Sequence, residues 1–134
     1  NHIKTFVSLW YSFDESTYEN NVTLALNLIG NRGKELYNEY NDINMLNSLI
    51  QKNIRYGVII KDIHINMQTV PISGDILFTQ TGYRARGSVA RDISVNFTLY
   101  DVSRSRENSH GVKIESWDVR YSEPREITDE EKLK

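Results

Sequence analysis

The chain has 134 residues, 39% hydrophobic and 25% charged, with a formal net charge of −2, which fits one folded domain around a single core. So small a charge gives no global pull toward a nucleic acid or an anionic membrane surface, both of which call for a strongly basic face. With no cysteine, disulfide frameworks, thiolate catalysis and cysteine-ligated zinc are excluded.

No apolar run approaches the roughly 20 residues that span a bilayer. The sequence opens at Asn1, directly before an apolar amphipathic segment, and this is compatible with a membrane anchor upstream of the chain. In that segment Phe6, Leu9, Trp10 and Phe13 follow the i, i+3, i+4, i+7 spacing of one helical stripe. Such a stripe is ordinarily core. The competing readings are a membrane-proximal helix or a dimerisation face.

Ser16 and Glu19 form an S-x-x-E capping box, which predicts a second helix starting between Glu15 and Thr17. Tyr18, Val22, Ala25, Leu26 and Ile29 continue it with helical period, and Gly30 and Gly33 are read as its left-handed terminator. A third helical stripe runs through Leu36, Tyr40, Ile43, Leu46, Leu49 and Ile50, with a break expected at Asn41 and Asp42.

After Gly57 the period falls to two. Ile59, Ile63, Ile65 and Met67 take one side of a strand, and Asp62, His64 and Asn66 the other. Pro71, Ser73, Gly74 and Asp75 read as a turn, and Ile76 to Ser88 as a second extended run with bulges at Gly82 and Gly87. The third strand alternates Ile93, Val95, Phe97 and Leu99 with polar residues. In the fourth, the apolar parity changes between Ile114 and Trp117, which requires a bulge or a two-sided strand. Pro124 closes the ordered part of a domain spanning residues 1–127, and the charged tail 128–134 is expected to fray. Helices first and strands afterwards predict an α+β fold, with about three N-terminal helices on a curved four-stranded antiparallel sheet.

Ala25-Leu26-Asn27-Leu28-Ile29-Gly30, the segment Glu35 to Tyr40, the loop Val102 to Gly111, and Ile114 to Val119 followed by Pro124-Arg125-Glu126-Ile127 resemble the TraK family of Bacteroides-type conjugative transposons. The R-S-x-x-N-x-H-G element (Arg104, Ser105, Asn108, His110, Gly111) is its most specific part. Members often carry Pro before the His-Gly pair; Ser109 stands there instead, which implies a less rigid loop. TraK-like proteins are similar to the assembly factor of VirB-type type IV secretion systems. The resemblance therefore implies a nuclear-transport-factor-like cone in the periplasm, held to the bacterial inner membrane by an N-terminal helix absent from this chain. It implies a non-enzymatic scaffold that binds other secretion-channel subunits and weakly itself, with no cofactor and no direct nucleic-acid contact.

The alternative is a small-molecule-binding or acid/base cone using the hollow between sheet and helices, with Asp62, His64 and Asp75 as candidates. Their alternation opposite the isoleucine stripe points them away from such a hollow. His2, His64 and His110 show no short-range metal-ligand spacing. Arg84, Arg86, Arg91, Arg104 and Arg106 form the most basic stretch, but Asp92, Asp101 and Glu107 interrupt it and few aromatics are interleaved. For the 104–111 loop an interface reading competes with a structural one, because Asn108 and Gly111 suit tight turns; the structural reading is favoured.

Overall fold

A computed structural model describes residues 1–132. The elements are α1 (His2–Tyr11), α2 (Tyr18–Leu26), α3 (Arg32–Asp42), α4 (Met45–Lys52), β1 (Arg55–Asn66), β2 (Ile72–Tyr83), β3 (Val89–Asp101), β4 (Val112–Tyr121), β5 (Arg125–Glu126) and α5 (Asp129–Lys132). The sheet is antiparallel in the order β1-β2-β3-β4, and the two-residue β5 also pairs with β3. The α+β arrangement is as expected, with a fifth, very short strand in place of four.

Helix α1 exists because its apolar face has somewhere to go: Ile3, Phe6, Val7 and Trp10 are all buried, each contributing roughly 1.5–3 kcal/mol. Its last carbonyls lack helical partners. Side chains from elsewhere supply them: Tyr40 donates to Trp10 O, and Gln80 Nε2 donates to Tyr11 O at 2.8 Å. Trp10 and Tyr40 stack with centroids 4.7 Å apart, and Phe6 meets Trp117 edge-on at 5.0 Å. Aromatic side chains thus occupy much of the space between helices and sheet, and a cleft of about 260 Å³ remains beside Tyr11, Tyr40, Gln80, Arg91 and Tyr121.

The chain between helices is stitched to both edges of the sheet. Phe13 exchanges two backbone hydrogen bonds with Tyr56 of β1, and Leu28 and Gly30 bond Ile114 of β4. The helical layer therefore straddles the four strands.

Several local expectations give way. At the start of α2 the Ser16/Glu19 box is replaced by Asp14, whose Oδ1 accepts from the amides of Ser16 and Thr17 and from both hydroxyls. A carboxylate held at a helix start satisfies orphan amides and complements the dipole. Gly30 and Gly33 do not terminate α2, which ends at Leu26. They permit close approach instead: a Cβ on Gly30 would lie 2.6 Å from Tyr100 Oη. The third helical stretch breaks at Asn44, in the left-handed region with φ 53°, two residues beyond the expected site, and becomes α3 and α4.

In the sheet, Ser73 to Asp75 belong to β2, which ends at Tyr83, and Gly87 (φ +96°) lies in the following hairpin. The β1 bulge falls at Lys61, between the pairs Ile60↔Phe78 and Asp62↔Leu77. It switches the inward set to Tyr56, Val58, Ile60 and Ile63, while Ile65 and Met67 stay exposed. The parity change in β4 is a register shift: Leu99 pairs with Ile114 and Thr98 with Ser116, leaving Glu115 as the extra residue. Both Ile114 and Trp117 are thereby fully buried.

The tail expected to fray carries α5 and packs on the outer face of the sheet. Glu131 is fully buried and Arg125 bridges it to Asp92. Residues 133 and 134 lie outside the described residues.

Candidate functional site

The loop between β3 and β4 is closed at its base by Val102 N donating to Gly111 O at 2.9 Å. Inside it Asn108, only 3% exposed, organises the turn. Its Nδ2 donates to Val112 O at 2.7 Å and to Asn27 O at 3.3 Å, and its Oδ1 accepts from His110 N. Ser105 completes the ring: its Oγ accepts from Asn108 N at 3.0 Å and its N–H donates to Asn108 O at 2.9 Å. Gly111 has φ +75°, a region other residues enter at a cost, and the Arg104 side chain lies over the place a Cβ would occupy. Four of the five motif residues thus shape the loop or dock it on the segment after α2, and the fifth, Arg104, covers the glycine.

His110 reaches further. Its Nδ1 lies 2.8 Å from His2 Nδ1, and His2 Nε2 lies 2.9 Å from Leu28 O. Because a carbonyl only accepts, His2 carries its proton on Nε2 and its Nδ1 accepts from His110. Burial, the largest cause, holds His2 below the usual histidine range, and a charge on His110 would push it the same way. The sequence shows these histidines far apart; the fold joins two of the three through a loop and the first turn of α1. Among the described residues no group of three or more His, Asp or Glu side chains is placed to hold a metal ion.

Of the α1 stripe, Phe6, Trp10 and Phe13 are buried and Leu9 packs partly against them. Phe13 lies just past the helix, where it meets Tyr18 and Tyr56 edge-on. These residues are core.

Asp62, His64 and Asp75 lie together on the outer sheet face, away from the aromatic-filled hollow. His64 Nδ1 is 3.0 Å from Asp75 Oδ1, and Nε2 is 3.5 Å from Asp62 Oδ2. The Asp75 hydrogen bond and the two carboxylate charges raise His64 above its ordinary range. All three side chains are more than half exposed, and the arrangement is a solvated polar cluster on the sheet surface.

The basic stretch does not form one patch. Arg84 and Arg86 occupy the hairpin before β3, and Arg104 and Arg106 lie beyond its far end. A 13-residue strand, about 40 Å long, separates the two groups. Arg91 turns inward over the Tyr121 ring, 4.2 Å from its centroid.

The Asp92–Arg125–Glu131 clamp went unread in the sequence. Arg125 donates through Nη2 to Asp92 Oδ1 at 2.9 Å and to Glu131 Oε2 at 2.7 Å, while Thr79 Oγ1 donates to Asp92 Oδ1. A signal was present: Thr128-x-x-Glu131 is a capping box, formed by Thr128 N to Glu131 Oε1 at 2.8 Å and Glu131 N to Thr128 Oγ1 at 3.3 Å.

No protein-family model matches the chain, and no curated protein matches it. Solved structures do. The VirB8 protein of Agrobacterium tumefaciens superposes with a TM-score of 0.72 over 96% of this chain and 91% of its own, at 15% identity. The soluble domain of TrwG, from the type IV secretion machinery of Bartonella grahamii, gives 0.66 over 95% and 93%, at 16% identity. An IcmL-like type IV secretion system protein of Legionella pneumophila gives 0.72 over 92% and 90%, at 8% identity. At these identities the likeness is one of fold: this chain is built, over nearly its whole length, as the nuclear-transport-factor-like domains of VirB8-like type IV secretion components are built.

Proposed function

We propose that this chain is the periplasmic domain of an inner-membrane scaffold in a conjugative type IV secretion apparatus, of the TraK kind found in Bacteroides-type conjugative transposons. It acts through contacts with other channel subunits and with copies of itself, and catalyses nothing. Residues 1–127 form its body, with the C-terminal segment strapped onto the sheet, and an upstream helix anchors it next to α1. No cofactor takes part, and DNA passes without touching it.

The observation that carries this reading is end-to-end agreement in fold with VirB8-like domains, in which 96% of this chain meets 91% of the solved Agrobacterium chain. The R-S-x-x-N-x-H-G loop adds the narrower resemblance. The position of Asp62 and Asp75, on the opposite face from Trp10, Phe78 and Trp117, supports a scaffold over a cone enzyme that would use them in the hollow.

The test is to express the full-length protein with a C-terminal tag in its native host and fractionate the cells. It should sediment with the inner membrane, be cleaved by protease only after the outer membrane is opened, and co-purify with secretion-channel subunits. Recovery in the cytosol, or isolation free of every channel subunit, overturns the proposal.

A further inference from the structure

The outer face of the sheet is divided in two. Around Asp92 the C-terminal strap covers it. Toward the β1–β2 hairpin it lies open as a trough of about 460 Å³ lined in part by His64, Asp75, Asn96, Thr98, Ser116 and Asp118. Asp62 adjoins it through His64. No lysine or arginine is among the lining residues; Arg120, two positions along β4 from Asp118, is exposed on the same face. Asp62 and Asp75 thus flank His64, and Asp118 stands two strands across from Asp75, on one polar surface that no element of the described chain covers.

The opposite end of the same sheet carries the complementary charge. Residues 84–88 join β2 to β3, with Arg84, Ala85, Arg86 and Gly87 exposed. Arg84 makes one long bond, Nε to Gly87 O at 3.4 Å, and neither arginine forms an ion pair among the described residues. Asp75 and Arg84 are nine positions apart along one extended strand, about 30 Å at roughly 3.3 Å per residue. Charges so separated are screened from each other in physiological salt and cannot touch within one molecule.

We propose that the Arg84/Arg86 hairpin of one copy docks into the Asp62/Asp75/Asp118 trough of the next, giving a head-to-tail contact. This rests on the self-association in the functional reading above and names its surfaces. Two different patches meet, so the contact is heterologous: it closes a ring if the rotation between copies closes and runs on as a row if it does not. Opposed charge steers the encounter and fixes the polarity of the assembly.

The experiment is sedimentation velocity on the full chain over a concentration series at low and physiological salt. It uses a trough variant (Asp75→Arg with Asp118→Arg), a hairpin variant (Arg84→Asp with Arg86→Asp), and the chain carrying all four changes. Thermal melts confirm that each folds; Asp75→Asn and Arg84→Gln serve in place of any that does not. Either reversal alone should weaken association at least tenfold. An equimolar mixture of the two variants, and the fourfold variant, should recover it, and added salt should weaken the wild type. If the wild type associates and the reversals leave it unchanged, these surfaces are wrong while self-association stands. Loss of association without recovery in the mixture or the fourfold variant also overturns the pairing. A wild type that stays monomeric throughout, including when tethered to vesicles, defeats both this contact and the self-association beneath it.

Discussion

His2 and His110, 108 positions apart, are joined Nδ1 to Nδ1 at 2.8 Å, and His2 is fixed from its other side by Leu28 O. With Nε2 committed as a donor, the neutral form of His2 fits both partners. Protonating both rings would set one N–H against another.

This pair predicts an acid-sensitive tether between α1 and the 104–111 loop. Burial lowers the folded His2 value below the ordinary 6.5, so the unfolded chain takes up the proton first. Stability from His2 is complete above about pH 6.5 and is lost as pH falls toward the folded value. The exposed His64 is raised and has the opposite sign, so the informative comparison is wild type against His2→Gln, which leaves His64 untouched. Melting temperatures between about pH 7.5 and 5 should fall more steeply for the wild type; parallel curves for the two proteins rule the tether out.

Glu131 is the second sensitive point. Its side chain is fully buried against Arg125, whose own side chain is one-third exposed. Truncation to alanine leaves Arg125 half-paired and undoes the capping box, a loss of about 2–3 kcal/mol given the partial exposure of the arginine. Glu130→Ala removes only the surface pair with Lys61 and should change stability by less than about 0.5 kcal/mol. Urea midpoints distinguish the two. Arg125 holds both Glu131 and Asp92 below the usual carboxylate range, so their contribution is present above about pH 4 and disappears as pH falls through the lowered folded values.

Asp14→Ala should cost about 1 kcal/mol, the usual loss for an N-terminal cap, whereas Ser16→Ala keeps the Asp14 bonds to the amides of Ser16 and Thr17 and should cost less. Denaturant unfolding of both variants checks this order, and a larger effect at Ser16 contradicts the assignment of Asp14 as the cap.

Asn108→Ala separates structure from interface in the R-S-x-x-N-x-H-G loop. It strands Val112 O, Asn27 O and the His110 amide, which predicts a loss of about 2 kcal/mol. Arg104→Ala, at an exposed side chain, should leave stability within about 0.5 kcal/mol. If Arg104→Ala nevertheless abolishes co-purification with channel subunits, Arg104 is a contact residue; if it does not, the loop serves the fold alone.

Fold class was legible in the sequence because periodicity reports which residues must be buried. Parity alone required a bulge or a two-sided strand in β4; the structure takes the bulge, which skips Glu115 and lets Ile114 and Trp117 both face inward. The β1 bulge was not legible: Val58 to Ile60 are apolar at every position, so the inward set is chosen by the register with Phe78 and Leu77. The role of Asn108 was half visible, as a turn residue, but its bond to Asn27 crosses 81 positions and no local pattern contains it. The same holds for His2 with His110. The break at Asn44 missed its expected place because Asn41, Asp42 and Asn44 are all residues that leave a helix readily, and tertiary packing selected among them.

The bulge at Lys61 also bears on the open flank of β1. Strand β1 has β2 on one flank only, with Phe13 bridging Tyr56 near its start. A foreign strand approaching along the rest of that flank would find an amide ladder that falls out of step at residue 61 beside an ammonium group, two features that discourage edge-to-edge growth. That flank of β1 is thereby made a poor template for sideways extension of the sheet into a fibre.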